Sequence, residues 1–153
     1  MENRFRIDYY KNAFIRLNCA YAYGRRILAK PIFILSIIES IEQGFLVENR
    51  IEWKKGVFEK FHDLYNEIFS IYLHNEYPTP IYKPFFHLAH DGFWHHNVKH
   101  SIPPPKAATI RYLSEELNFA YLDQALWDLL QDFNVREEFR ETIINFFIKP
   151  KEE

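Results

Sequence analysis

The chain has 153 residues, 48% of them hydrophobic and 26% charged, with a formal net charge of -2. That make-up belongs to a globular domain and excludes a disordered or uniformly basic chain. The length suits one α+β domain over 1–153, with a real core and no room for two. A lone Cys19 excludes an internal disulfide framework and a cysteine-built zinc site, and it points to a reducing compartment, with the cytoplasm as the expected location.

The opening MENRFRIDYYKN lacks the apolar core of a signal peptide, and the most apolar run, 32–41, is shorter than the roughly 20 residues of a membrane span. Charge is unevenly spread. Arg4, Arg6, Lys11, Arg16, Arg25, Arg26 and Lys30 face only Glu2 and Asp8 in the first stretch, whereas the tail after Leu113 is rich in Asp and Glu. A nucleic-acid surface on such a molecule is therefore a local patch.

In chain order, Asp8 is placed to cap a first helix carrying Tyr10, Phe14, Leu17 and Tyr21 at helical spacing, with Gly24 at its end. A second helix is predicted from Pro31 to Gly44; it is apolar around most of its circumference and belongs at the centre of the core. Residues 49–53 suit a short strand, and Val57, Phe58, Phe61, Leu64, Tyr65, Ile68 and Tyr72 mark a third helix. After the loop of Pro78, Pro80 and Pro84, the segment PFFHLAHDGFWHHNV suggests a β-hairpin turning at Asp91-Gly92, with His87 opposite His96. Pro103, Pro104 and Pro105 then lead into a helix over 106–117, and 119–121 adds a strand. Asp123 and Asn134 read as caps of two last helices, Glu137 completing a capping box, with Pro150 as the final stop. The predicted architecture is a helix-rich α+β domain with a buried central helix and a small antiparallel sheet, winged-helix-like in its order.

Three segments carry a resemblance: AKPIFILSIIESIEQG from Ala29, YKPFFHLAHDGFWHH from Tyr82, and YLDQALWDLLQDFNVREEFRETIINFF from Tyr121. Together they resemble the N-terminal DNA-reading module of HNH-type restriction endonucleases predicted in bacteria, which is related to the sulfur-binding domains that recognise phosphorothioate-modified DNA. In those enzymes an HNH nuclease follows the module; here the chain is expected to comprise the module alone. The resemblance implies a modified-phosphate pocket at Lys30, Lys83, Pro84 and His87, with Tyr82 and His95 on the same segment. Ala29 stands where the pattern commonly has His, and Lys83 and His87 replace a Tyr and a small residue, which leaves sulfur selectivity open.

From the residues themselves, Arg25, Arg26 and Lys30 precede the second helix, whose first-turn N–H groups make a natural phosphate seat. The same charges are compatible with an ordinary solvated loop. A phosphorothioate sulfur, larger than oxygen and a weaker acceptor, suits an apolar wall such as the Pro84 ring with a cation nearby. His87, His90, His95, His96 and His100 raise the question of a metal, but with no Cys ligand and no nearby carboxylate beyond Asp91 the expectation is no metal and no cofactor. The letters His95, His96, Asn97 do not make an HNH site, which needs a further His on a following helix, and none follows His100. Cys19 sits among apolar residues as a buried thiol, the glycines form no phosphate-cradling loop, and Tyr23, Trp53 and Trp94 serve either base stacking or the core.

The resulting expectation is a non-catalytic DNA-binding module of a restriction or defence system. Its DNA-contacting residues would be Arg25, Arg26, Lys30, Tyr82, Lys83, Pro84, His87 and His95. Whether the duplex is modified, whether a separate nuclease subunit exists and whether the chain forms a homodimer stay open. The alternatives are a protein-interaction or dimerisation accessory and a His-ligated metal-dependent enzyme.

Overall fold

The computed structural model describes residues 2–74, 76–101 and 103–149. Helix α1 (Glu2–Ile15) buries Ile7, Tyr10 and Phe14 along one stripe. It begins before and ends earlier than its apolar spacing suggested. Asp8 sits in mid-helix paired with Arg4, and residues 21–26 leave the helix altogether. They form a two-strand hairpin, β1 (Tyr21–Ala22) and β2 (Arg25–Arg26), in which Tyr21 pairs with Arg26. Its turn residues Tyr23 and Gly24 have φ of 53° and 77°, the pair of positive values that a type I′ turn requires. Gly24 is therefore a hairpin turn and not a helix end.

Helix α2 (Ala29–Glu42) is the centre of the molecule, with nearly every side chain from Ala29 to Ile38 out of solvent. Its two buried hydroxyls are satisfied within the helix: Ser36 donates to the Ile32 carbonyl at 2.8 Å and Ser40 to that of Ser36 at 2.6 Å. Helix α3 (Phe58–Tyr72) lays Phe58, Phe61, Leu64, Tyr65, Ile68 and Phe69 against it. Phe33 on α2 meets Phe61, Phe85 and Trp94 edge-on at centroid distances of 5.2, 6.0 and 5.3 Å. Such pairs add about 0.5–1.5 kcal/mol each beyond their buried area.

The segment after the proline loop departs most from its reading as a hairpin. Residues Tyr82–His87 form helix α4, Leu88–Asp91 continue as a 3-10 turn, and Gly92, at φ 92°, ends the run in the left-handed region. Phe85, Phe86 and Leu88 are all buried. Burial of the adjacent pair Phe85 and Phe86 does not fit a strand's alternation, while a helix capped by glycine accommodates it. The small antiparallel sheet is built elsewhere, from β3 (Trp94–Val98) and β4 (Leu117–Leu122), with Trp94 opposite Leu122 and an irregularity between Asn97 and Val98. The expected strand at 49–53 contracts to one bridge, Ile51 with Ala120.

Between β3 and β4 lies the short helix α5 (Ile110–Glu115), whose cap Thr109 accepts from the Tyr112 N–H at 3.1 Å. Helices α6 (Gln124–Leu129) and α7 (Phe133–Ile143) follow, the latter running into a π turn, Ile144–Ile148. The cap of α7 is Asp132 in place of Asn134, and Glu137 pairs with Arg140 instead of closing a capping box. Asp123 occupies the cap position of α6 but turns its carboxylate to the Tyr10 hydroxyl at 2.8 Å and to His95 at 2.5 Å. The expected stop at Pro150 lies outside the described residues.

Ion pairs join the two ends of the chain and tie its tail to α2. Arg4 and Lys11 on α1 both meet Glu138 on α7, whose carboxyl is pulled down to about 2 by hydrogen bonds from Arg4 and Lys11. Arg136 and Arg140 on α7 meet Glu42 and Glu39 on α2. The helix-rich α+β domain with small antiparallel sheets and α2 at its centre follows the predicted architecture. No helix among the described residues is long and apolar enough to cross a membrane.

Candidate functional site

A cleft of about 750 Å³ opens where several stretches of the chain meet. Asn18, Cys19 and Ala20 form one side, with Ile27 just after β2. The first turn of α2 contributes Ala29 and Lys30 to the floor. Tyr77, Pro78, Thr79 and Pro80 form a rim, and Ala107 and Ala108 close the far edge. Helix α4 and its 3-10 continuation supply Lys83, Pro84, His87 and His90.

The last group follows from helical geometry. Positions 83, 87 and 90 are separated by four and then three residues, so one stripe of the run faces the cleft. Pro84 is tolerated in the first turn of α4, where its missing N–H has no helical carbonyl to meet. The opposite stripe anchors the helix: the Phe85 carbonyl accepts from the Trp94 indole at 2.7 Å and faces the His96 ring nitrogen at 3.3 Å. Burial holds the His96 imidazole below its ordinary pKa, which keeps it neutral behind the cleft wall.

Lys30 is the most constrained cation. Its Nζ lies 2.6 Å from Asp91 Oδ2 and donates to the Asn18 carbonyl at 2.8 Å. The other oxygen of Asp91 accepts from the Asn18 N–H at 2.8 Å. Lys83 pairs with no carboxylate among the described residues. His87 has its imidazole pushed down, first by burial and then by His90, Lys30 and Lys83. Burial pushes the Cys19 thiol up, so it serves as an apolar, protonated wall element.

Of the residues singled out from sequence, Lys30, Lys83, Pro84 and His87 are brought together at this cleft. Arg25 stands beside it on β2, exposed and 3.9 Å from Glu76 in the rim loop. Arg26 donates to the Tyr21 hydroxyl at 3.3 Å and spreads its guanidinium over Phe146 and Phe147, at 5.4 and 5.6 Å from the ring centroids. Tyr82 packs against the core and does not line the cleft. His95 is elsewhere, bonded to Asp123 and stacked on Tyr121 at 5.2 Å.

Sequence reasoning missed Asn18, Cys19, Tyr77 and His90 as cleft residues. The spacing of His90 from His87 was a usable signal had the segment been read as helix. Of the aromatic residues considered for stacking, Trp53 and Trp94 are buried in the core, while Tyr23, at the hairpin tip, is 99% exposed. Apart from His87 and His90, which share the cleft, the histidines are dispersed: His96 against Phe85, His95 on Asp123, His100 on Glu116 at 3.1 Å. Among the described residues no group of three or more His, Cys, Asp or Glu is arranged to hold a metal ion.

No family model matches the chain, and no curated protein matches it by sequence. Among solved structures, the chain is similar to the sulfur binding domain of ScoMcrA, determined in complex with phosphorothioated DNA. The superposition has a TM-score of 0.65 at 15% identity and covers 90% of this chain and 86% of that one. The likeness extends over nearly the whole of both chains, and what it shows is a common fold.

Proposed function

We propose that this protein is a DNA-binding module that seats a backbone phosphate, plain or modified, in the cleft between the start of α2 and helix α4. The observation that carries the reading is the convergence of Lys30, Lys83, Pro84 and His87, from distant parts of the chain, on one cleft. The likeness to a domain solved on phosphorothioated DNA supports the same reading. The cleft matches such a ligand chemically. Lys83 and His87 supply donors for anionic oxygens. Pro84, Ala29, Cys19 and Ala108 supply an apolar wall beside which a larger, weakly hydrogen-bonding sulfur is comfortable.

In this reading the module belongs to a restriction or defence system and performs no catalysis itself, strand cleavage being the work of a nuclease partner. Arg25, exposed at the cleft's edge, and Tyr23, at the tip of the hairpin that carries it, extend the contact along the duplex. Fluorescence anisotropy with plain, methylated and phosphorothioated duplexes at low salt tests it. Binding that weakens steeply as salt is added is expected, because counterion release dominates such affinities. Absence of binding to all three duplexes would remove the reading.

A second reading, as an interaction or dimerisation module, rests on a separate observation. Phe5 and Tyr9, one turn apart on the outer face of α1, are 76% and 62% exposed. Light scattering addresses it, and a strict monomer at high concentration would count against a dimer.

A further inference from the structure

The cleft contains an imbalance that goes beyond holding a phosphate. Around His87 stand His90, with ring centroids 5.3 Å apart, Lys83 one turn earlier on α4, and Lys30 on α2. Cys19 and Tyr77 line other walls of the cleft, and the 107–108 edge offers only alanines. Asp91, next along the run from His90, is already committed to Lys30 at 2.6 Å and to the Asn18 N–H at 2.8 Å, and Glu76 in the rim loop stands 3.9 Å from Arg25. An imidazolium at position 87 thus has cationic neighbours on two sides, and among the described residues no carboxylate lines the cleft.

We propose that His87 captures the DNA backbone anion as an imidazolium, so that each phosphate or phosphorothioate entering the cleft brings a proton with it. The inference rests on the DNA-binding reading above. In the free protein burial and the adjacent His90, Lys30 and Lys83 hold the His87 imidazole below its ordinary value, hence neutral near pH 7. The incoming monoanion supplies the counter-charge that no cleft-lining side chain among the described residues provides, and the ring gains an N–H directed at a phosphate oxygen. The proton comes from solvent, and no covalent bond changes.

The sign follows from linkage. A group whose pKa rises on binding gives affinity that is complete below its free-state pKa. That affinity declines by up to about tenfold per pH unit as pH climbs towards the bound-state pKa. Binding in which no group changes its protonation would be flat over the same interval.

Isothermal titration calorimetry near pH 7, with a short duplex in buffers of different ionisation enthalpy, counts the protons directly. Anisotropy between about pH 5.5 and 8.5 at fixed ionic strength gives the slope. Both are run on plain and phosphorothioate duplexes. The expected result is net proton uptake approaching one per bound duplex, with affinity falling as pH rises. His87→Gln should abolish the uptake and leave weaker, pH-independent binding, whereas Lys83→Ala should weaken binding and retain the uptake. Wild-type binding with no proton uptake, or an unchanged pH slope in H87Q, overturns the inference while leaving DNA binding intact. Failure of every duplex to bind at any pH overturns both readings together. Should H87Q not fold, absence of proton uptake by the wild type still overturns the inference, and His90→Gln retaining the uptake supports it.

Discussion

The ammonium of Lys30 and the carboxylate of Asp91 meet at 2.6 Å with their side chains only 10% and 5% exposed, joining the first turn of α2 to the 3-10 turn after α4. The same carboxylate takes the Asn18 N–H. One acidic side chain therefore ties together three of the walls of the cleft. With Asp91 replaced, the lysine would be left buried with only a carbonyl for company.

Asp91→Ala is expected to cost about 3–5 kcal/mol of folding stability, the usual penalty for stranding one member of a buried pair. Asp91→Asn, which keeps an acceptor for the Asn18 N–H, should cost less. Urea denaturation with an unchanged m-value would measure both. A loss below about 1 kcal/mol for the alanine variant would show that Lys30 finds water or another partner without difficulty.

At the hairpin tip, Tyr23 adopts a φ of 53° with its side chain almost fully in solvent. A tyrosine there bears left-handed strain without compensating burial, and an Asn-Gly pair is the favoured occupant of such a turn. Tyr23→Asn should raise stability by a few tenths to about 1 kcal/mol, and Gly24→Ala should lower it by about 1 kcal/mol. Thermal unfolding of the two variants side by side gives the comparison, and the same sign for both would contradict it.

Acid sensitivity should be traceable to Glu138. Its folded-state pKa, pulled down to about 2 by Arg4 and Lys11, lies below the ordinary glutamate value of 4.5. The carboxylate's contribution is thus complete above about pH 4.5 and fades as pH falls towards 2. The pair lies at the surface, so the effect is modest and salt-dependent. Glu138→Gln should flatten the stability profile within that window and leave its shape at neutral pH unchanged, as followed by denaturation at a series of pH values.

The element pattern was most legible in the two long helices of the core, although the same apolar spacing misplaced both ends of α1. In α2 and α3 the apolar spacing placed each helix to within about two residues. It misled where a short polar motif carried the weight. Asp91-Gly92 has the composition of a hairpin turn, but the glycine ends a 3-10 turn and the aspartate reaches a lysine 61 residues away. No local pattern encodes such a partner. The same holds for Asp123, whose cap position was apparent and whose bonds to Tyr10 and His95 were not. Lys30, Lys83, Pro84 and His87 were grouped through a family resemblance, since their spacing alone offers no reason for them to meet. His90 escaped because a strand reading places it on the face opposite His87, whereas three residues along a helix bring the two rings side by side.

For the nucleic-acid reading, Lys83 is the most informative side chain. A lysine that neutralises one phosphate contributes about one unit to the slope of log affinity against log salt concentration. Lys83→Ala should reduce that slope by about one and weaken plain duplexes of different sequence to a similar degree. A sequence-dependent loss would instead mean that Lys83 reads a base edge.

Helix α2 runs through the middle of the protein and still presents its first residues, Ala29 and Lys30, at the bottom of the opening. The base of the cleft is thereby inherited from the core, and mutations there will be filtered for solubility before they are filtered for any change in what the cleft holds. Tyr23 and Tyr77, the latter 96% exposed, carry no such burden. Directed evolution of ligand preference should accordingly accumulate its changes on those two loops and leave the helix untouched.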